Sequence, residues 1–413
     1  MIEKSLLRKF LSQIKSRKLK VVYWDNKTET YGDSGPLIGT LTIHDQSALG
    51  EIARELDLGF GEAYMNGKID FDGDLRDLVV AATENANSLS GILDNNFTKA
   101  LARGFSKSTS VNEQRNDIHH HYDLGNDFFK LFLDPSMTYS CAYYKTKTDD
   151  LETAQKQKVD HILKKLRLEK GETLLDIGSG WGELILRAAN EYGVNSHGIT
   201  MSSEQVVETK ARTKKSKLEK QVSVELSDYR DHAKKITKGK NLYDKIVSVG
   251  MFEHVGRPNL SLYIQAVSDM LKPGGLALIH FISQWREEPG GRFTTRYIFP
   301  GGYIPSLRET IALMPDAALD VLDVENLRLH YSYTLEAWAK NFENNLDNVR
   351  SRFADRERLG ERWSGKLEAE KFIRMWRLYL RGSSAGFLCG NLDLHQILVS
   401  KGINNALPLT RVA

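Results

Sequence analysis

The chain holds only two cysteines in 413 residues, Cys141 and Cys389. That is too few for a disulfide framework and fits a reducing cytoplasm. No apolar run reaches the length of a bilayer span, and the first residues lack the pattern of a secretory leader. The formal net charge is +3, which leaves no basic excess to argue for nucleic acid. Internal repeats and low-complexity tracts are also missing. The first hundred residues offer neither a metal-ligand spacing nor a nucleophile beside a base. What remains is an ordinary globular composition, 41% hydrophobic and 27% charged, in a chain long enough for two domains and a large core.

The charge is unevenly spread. Lys4, Arg8, Lys9, Lys15, Arg17, Lys18 and Lys20 crowd the start against the single acid Glu3. Ile2, Leu6, Leu7, Phe10, Leu11 and Ile14 recur there at helical spacing. Two readings stand side by side: a basic amphipathic helix lying on anionic lipid, or a helix packing its apolar stripe on its own domain with a solvated basic face. A second basic run, Lys210 to Lys220, reads mainly as a solvated helix face, with attraction to lipid the lesser alternative.

The most informative segment is Leu174-Leu-Asp-Ile-Gly-Ser-Gly-Trp-Gly182. A short apolar run ends in an acid, then in clustered glycines, and helical sequence follows from Glu183 to Glu191. That pattern is a buried parallel strand turning sharply into a helix. The spacing G-x-G-x-G is one residue short of the dinucleotide fingerprint. Asp176 before the first glycine points to a cofactor bearing an amino acid, and the motif resembles the first motif of S-adenosylmethionine methyltransferases. Further strands are expected at 194–200, 222–226, 243–249 and 275–282, separated by helices. The expected fold is therefore α/β with a parallel sheet, its ligand at the carboxyl ends of the strands.

Residues 1–105 read as a small separate α+β domain, with strands at 20–24 and 37–43 and a helix at 45–56. Residues 106–116 read as a polar linker, and 117–413 as the catalytic domain. His119, His120 and His121 are adjacent and diverge in direction, so hydrogen-bonding or surface roles suit them better than one shared ion. No metal is expected. Residues 334–382 read as long helices, and 385–389 and 394–399 as terminal strands.

Several ordered blocks go beyond these signals: His120-His-Tyr-Asp-Leu-Gly-Asn-Asp127, Leu133-Asp-Pro, Tyr139-Ser-Cys-Ala-Tyr143, the glycine segment, Ser248-Val-Gly-Met-Phe-Glu-His-Val-Gly256 and Tyr297-Ile-Phe-Pro300. With these the chain resembles the cyclopropane-fatty-acyl-phospholipid synthase family, which includes the mycolic acid cyclopropane synthases. The resemblance implies a Rossmann-like class I methyltransferase sheet, mostly parallel with an antiparallel terminal strand, with helical insertions. It implies methyl transfer from S-adenosylmethionine to an acyl-chain double bond in membrane phospholipid, then proton loss to a bound bicarbonate and ring closure. It further implies a homodimer, cytoplasmic and peripheral on the inner face of the membrane. Two alternatives remain open: methyl addition giving a branched acyl chain, and a lipid-binding homologue without catalysis.

The resemblance also assigns residues. The cage for the small anion falls on Cys141, Glu253, His280 and Tyr331, with the backbone of Ile282. Cofactor contacts fall on Tyr139, Ser140, Asp176, Gly178, Gly180, Thr200, Gln205, Asp228 and Tyr229, with Asp228 reaching the adenine amino group. The family's Gly-Cys-Gly is Gly-Ser179-Gly here, and its carboxyl-terminal cysteine is Ser383. The chemistry suits such residues. An alkene is a poor nucleophile and must be positioned; a carbocation needs a dry site and tolerates aromatic faces. Tyr139, Tyr143, Tyr297, Phe299 and Tyr303 are the aromatic candidates.

Overall fold

A computed structural model describes residues 2–15, 17–89, 124–288, 290–354 and 369–410. The expected linker at 106–116 and the three histidines at 119–121 lie outside the described residues. The chain divides into two compact units. The first comprises residues 1–107, 289–300 and 335–391; the second comprises 108–288, 301–334 and 392–413.

In the first unit, β1 (Lys18–Val22), β2 (Thr28–Tyr31), β3 (Leu37–Ile43) and β4 (Ile69–Gly73) form a sheet in the order β2-β1-β3-β4. β1 and β3 run parallel, the other pairs antiparallel. The helix expected at 45–56 is two helices, Ser47–Arg54 and Leu56–Met65, because Glu55 is extended (φ −156°) and ends the first.

The unit also takes in two segments that the sequence reading left with the catalytic domain. The reason is packing. Helix Ala369–Cys389 lies against helices Leu56–Met65 and Leu75–Leu89. Its Phe372, Ile373, Trp376 and Leu380 are buried. Arg374 donates to the Tyr64 and Ile69 carbonyls (2.5 and 2.6 Å) and pairs with Asp70 at 2.6 Å. The strand expected at 385–389 is the end of this helix. Its apolar stripe simply continues through Ala385 and Phe387 at helical spacing.

The basic amino-terminal helix is Ile2–Leu11. Lys4 pairs with Asp25 (3.6 Å) and sits 3.7 Å over the Tyr23 ring. Arg8 pairs with Glu29. Leu11 and Ile14 are buried. Two of its cations are thus paired within the domain, Arg8 at an exposed position, while Lys9 and, beyond the helix, Lys15 are exposed and carry no such pair among the described residues.

The second unit is built on seven strands: β5 (Thr173–Ile177), β6 (Asn195–Thr200), β7 (Val222–Leu226), β8 (Tyr243–Val249), β9 (Leu271–Ser283), β10 (Leu319–Asn326) and β11 (Asp393–Lys401). Their order is β10-β11-β9-β8-β5-β6-β7. β5 to β9 pair in parallel, and β11 runs antiparallel between β9 and β10. β10 was not anticipated: a register shift between Val321 and Asp323 breaks its alternation, and Asp320, Asp323 and Glu325 make it read as a charged segment. β5 and β9 read as apolar runs because helices cover both faces. Leu276–Phe281 are all buried.

The chain reverses direction across the sheet at β5, which pairs with both β6 and β8. That is where a crevice opens beyond the strand ends. Gly182 closes the turn there with φ +86°, and a Cβ on it would meet Thr209 Cγ2 at 2.5 Å. Gly182→Ala is therefore expected to cost about 2–4 kcal/mol from overpacking and backbone strain. A urea-unfolding midpoint for this unit equal to wild type would refute that reading.

Candidate active site

The strand–glycine–helix segment forms one wall of the cleft. The amides of Gly178 and Ser179 donate to the Ile199 carbonyl (2.9 and 3.0 Å), pinning the loop to β6. Gly178 and Gly180 have φ of +87° and +53°, a region that favours glycine. A Cβ on Gly178 would press on Met251 at 3.1 Å, whereas one on Gly180 would meet nothing within 4 Å. Trp181 Nε1 donates to Asn126 Oδ1 (2.8 Å). Phe129 packs on both Trp181 and Tyr139, with centroids 5.5 and 5.3 Å away.

The cleft measures about 1210 Å³ including its mouth. Tyr139, Ser140, Asp176, Gly178, Gly180, Thr200, Gln205, Asp228 and Tyr229 all line it. Helix Ser203–Lys215 is capped by Ser202 Oγ, which accepts from the Gln205 amide (3.3 Å). The Thr200 hydroxyl donates to Gln205 Oε1 (2.5 Å). The amide nitrogen of Gln205 is then the group left to donate to a ligand hydroxyl. Asp228 caps helix Tyr229–Gly239. Both its oxygens also accept from the Arg230 guanidinium (2.8 and 2.7 Å). The acid expected to reach an adenine amino group is thus held by an arginine, and a ligand would share its remaining lone pairs.

Two polar residues were missed by the sequence reading. Lys158, on helix Leu151–Leu166, is 3% exposed, lines the cleft and donates to Ser140 Oγ (3.0 Å). Burial lowers its pKa, and it acts electrostatically on Asp176. Burial raises Asp176, one of whose oxygens has no hydrogen bond. Gln155, one turn earlier, donates to the Ser140 carbonyl (2.8 Å) and fixes the Tyr139–Ser140 loop. Helical spacing of 155 and 158 was visible, but nothing marked these polar residues as buried.

The four cage residues all belong to the second unit, each on a different element. Glu253 Oε1 accepts from the Ile282 amide at 2.6 Å, so the backbone donor expected for an anion is engaged by the glutamate. Glu253 Oε2 is buried without a hydrogen bond, and burial pushes its pKa up to about 7. His280 lies two residues before Ile282 on β9, on the same face. It is 1% exposed. Its Nδ1 lies 3.1 Å from Gln396 Nε2. With that amide donating, the ring proton sits on Nε2, which is buried without a partner.

Cys141 is fully buried, and burial holds its thiol protonated well above the usual range. Its Sγ approaches the Ala142 carbonyl (3.2 Å), and the Ala142 amide donates to Thr334 Oγ1 (3.0 Å). Tyr331 stands three residues before Thr334 in helix Arg328–Asn344 and is half-buried. Ser140, next to Cys141, adjoins Gly250, whose amide donates to the His280 carbonyl (2.8 Å). None of the four lines the cleft wall itself.

Of the aromatic candidates Tyr139 lines the cleft, and the other four scatter. Tyr143 stacks between His161 and His330, with centroids 4.3 and 4.7 Å away. Tyr303 donates to Glu309 (2.7 Å). Tyr297 donates to Glu62 (2.8 Å), and Phe299 packs on Tyr379, both inside the first unit.

Residues 109–397 match the mycolic acid cyclopropane synthetase family, and residues 6–92 match a domain of unknown function. The chain is 36% identical over 402 residues to a probable fatty acid methyltransferase of Pseudomonas putida, covering 95% of each. It is 34% identical over 364 residues to the cyclopropane-fatty-acyl-phospholipid synthase of Escherichia coli K12, covering 87% of each. Among solved structures, the cyclopropane synthase MmaA2 of Mycobacterium tuberculosis superposes with a TM-score of 0.60 at 30% identity, over 70% of this chain and 98% of that one. The seven-stranded unit has the fold of class I methyltransferases, and the chain belongs to the mycolic acid cyclopropane synthetase family.

Proposed function

We propose that this protein transfers a methyl carbon from S-adenosylmethionine to the cis double bond of an unsaturated acyl chain in phospholipid and closes a cyclopropane ring. The observation that carries this reading is the pair of buried, unpartnered polar atoms on Glu253 and His280, joined through β9 and Gly250 to the loop that lines the cleft. One is an acceptor and the other a ring N–H donor. A bicarbonate, with one hydroxyl and two further oxygens, suits that pair.

S-adenosylmethionine would supply an electrophilic methyl group, and bicarbonate would supply the base that takes up the proton released before ring closure. The chain's residues do the rest. Gly178 and Gly180 admit the cofactor against the backbone. Lys158 and Asp176 offer opposite charges to its carboxylate and ammonium ends. Gln205 donates to the ribose, and Tyr229 flanks the base. Glu253, His280, Cys141 and Tyr331 hold the anion. The carbon–sulfur bond breaks as the olefin's π pair forms a carbon–carbon bond. The resulting cation then loses a methyl proton, and that electron pair closes the ring. Buried walls keep water from the cation.

The test is methyl transfer to vesicles of unsaturated phospholipid, followed by product analysis. The reading expects a gain of one CH2 with loss of the double bond and no uptake of hydrogen on catalytic reduction. A product that gains CH2 but still takes up hydrogen, or is methyl-branched and saturated, would replace it with the fatty acid methyltransferase reading that the Pseudomonas putida relative's name favours. Cofactor and vesicle binding without any transfer would favour a non-catalytic lipid-binding protein.

The lipid partner is reached from a bilayer surface in this proposal; no helix among the described residues is long and apolar enough to cross a membrane. Lys4 and Arg8 are engaged by Asp25 and Glu29, whereas Lys9 and Lys15, like Lys18 and Lys20 on β1, are exposed and can meet anionic headgroups. Lys9→Glu with Lys15→Glu is expected to weaken binding to anionic vesicles roughly 10- to 100-fold at low salt, at about 1 kcal/mol per lysine. Unchanged sedimentation with vesicles would exclude this helix as the contact.

A further inference from the structure

Away from the cleft, the outer edge of the seven-stranded sheet carries one cluster of ligand-type side chains that the proposed reaction does not use. His197 lies on β6, Glu225 on β7 and His232 on helix Tyr229–Gly239. Their potential ligand atoms lie within 4.8 Å of one another. His197 Nδ1 is bonded to Ser223 Oγ (2.7 Å), and His232 Nε2 to Tyr243 Oη (3.0 Å). Each ring therefore has one nitrogen fixed by a hydroxyl. The other nitrogens, His197 Nε2 and His232 Nδ1, are buried without a hydrogen bond. Both face the same oxygen, Glu225 Oε2, at 3.7 and 3.8 Å.

These distances are too long for hydrogen bonds. Two bonds of about 2.1 Å to one ion at a tetrahedral angle span about 3.4 Å, so a small inward shift would close the site. We infer that His197, Glu225 and His232 form a divalent-cation site of zinc type, with water completing the coordination. The chemistry fits at several points. Two imidazoles and a carboxylate are the donors that zinc takes in open three-ligand sites. Ser223 and Tyr243 supply the outer hydrogen bonds that orient ligating histidines. His232 is 2% exposed, while Glu225 is 39% exposed and leaves a route for ion and water. Lys235, now 3.0 Å from Glu225 and 65% exposed, would swing into solvent as the ion takes its place.

The ion would clamp three elements that end at the cofactor cleft. Thr200 follows His197 by three residues on β6, Asp228 follows Glu225 by three, and Tyr229 opens the helix bearing His232. The site is thus placed to stiffen the adenosine end of the cleft.

The test uses untagged full-length protein treated with chelator, titrated with Co²⁺ by visible absorption and then with Zn²⁺ in competition. One equivalent is expected. Glu225→Gln and His232→Gln are each expected to weaken binding at least about 100-fold, and Tyr243→Phe about 10-fold. Glu225 is partly exposed, so its variant keeps the fold in question even if the histidine variant does not. No stoichiometric uptake by the wild-type protein, or equal affinity in Glu225→Gln, would overturn the assignment. The readout is metal affinity, so it stands or falls apart from methyl transfer.

Discussion

Glu253→Gln is expected to slow methyl transfer by a factor of about 10² to 10⁴, the range for losing a positioned acid–base group, while the affinity for S-adenosylmethionine stays close to wild type. Glutamine can still accept from the Ile282 amide, so the local backbone is kept. What it lacks is the buried oxygen that takes up negative charge. The same change carries a stability signature with a definite sign. Glu253 in the folded protein has a pKa raised from 4.5 to about 7 by burial. Below 4.5 the carboxyl is neutral in folded and unfolded chains alike, and its burial carries no charge penalty. As pH rises to 7 the unfolded chain ionises first, and stability falls by on the order of 3 kcal/mol. The glutamine variant lacks that slope. It should match wild type near pH 4.5 and exceed it near pH 8, inactive yet more stable. Parallel stability–pH curves for the two proteins, or a loss of cofactor affinity equal to the loss of turnover, would make Glu253 a structural residue only.

Gly180→Val should do the opposite, sparing most of the stability and removing the cofactor. The residue has φ +53°, which costs a branched side chain about 1–2 kcal/mol. Its Cβ would meet no protein atom within 4 Å, because it points into the cleft that Gly180 lines. The isopropyl group would occupy space the ligand needs. A loss of cofactor affinity of at least about 100-fold, near 2.7 kcal/mol, is expected by calorimetric titration, with only a few degrees off the unfolding midpoint. Gly182→Ala, two residues away, inverts this balance because its new methyl group meets Thr209 instead of the cleft. Cofactor binding by Gly180→Val at wild-type strength would mean that the glycine loop does not face the ligand.

Much of the sheet unit could be read from the chain because its signals are local. The strands at 222–226 and 243–249 end where expected, since a buried parallel strand must stop at the polar residues that meet the ligand. Of the nine expected cofactor positions, Asp176, Gly178, Gly180, Thr200, Asp228 and Tyr229 line the cleft for the same reason, each lying at a strand end or just beyond it; Gln205 lies in the helix that follows β6, and Tyr139 and Ser140 come from a loop that only the resemblance marked. Signals that depend on distant partners were not legible. Lys158 looks like any surface lysine of a charged helix until Ser140 and Asp176 fold over it. Arg230, beside Asp228, gave no hint that it would claim both carboxylate oxygens. The run at 385–389 is apolar and short, which suits a strand and a buried helix end equally. Tyr297 and Phe299 belong to a recognisable motif, yet their partners, Glu62 and Tyr379, are distant in sequence.

The winding of the first unit also bears on synthesis. Arg374 closes onto Tyr64 across 310 positions. At a translation rate of about 5–20 residues per second, the sheet β1–β4 and its first helices wait roughly 15–60 s on the ribosome before their last helix emerges. During that interval the faces later covered by Phe372 and Trp376 stay bare, a natural moment for chaperone capture. Trimming the first hundred residues to release the sheet unit would leave that late helix with no bed to lie in.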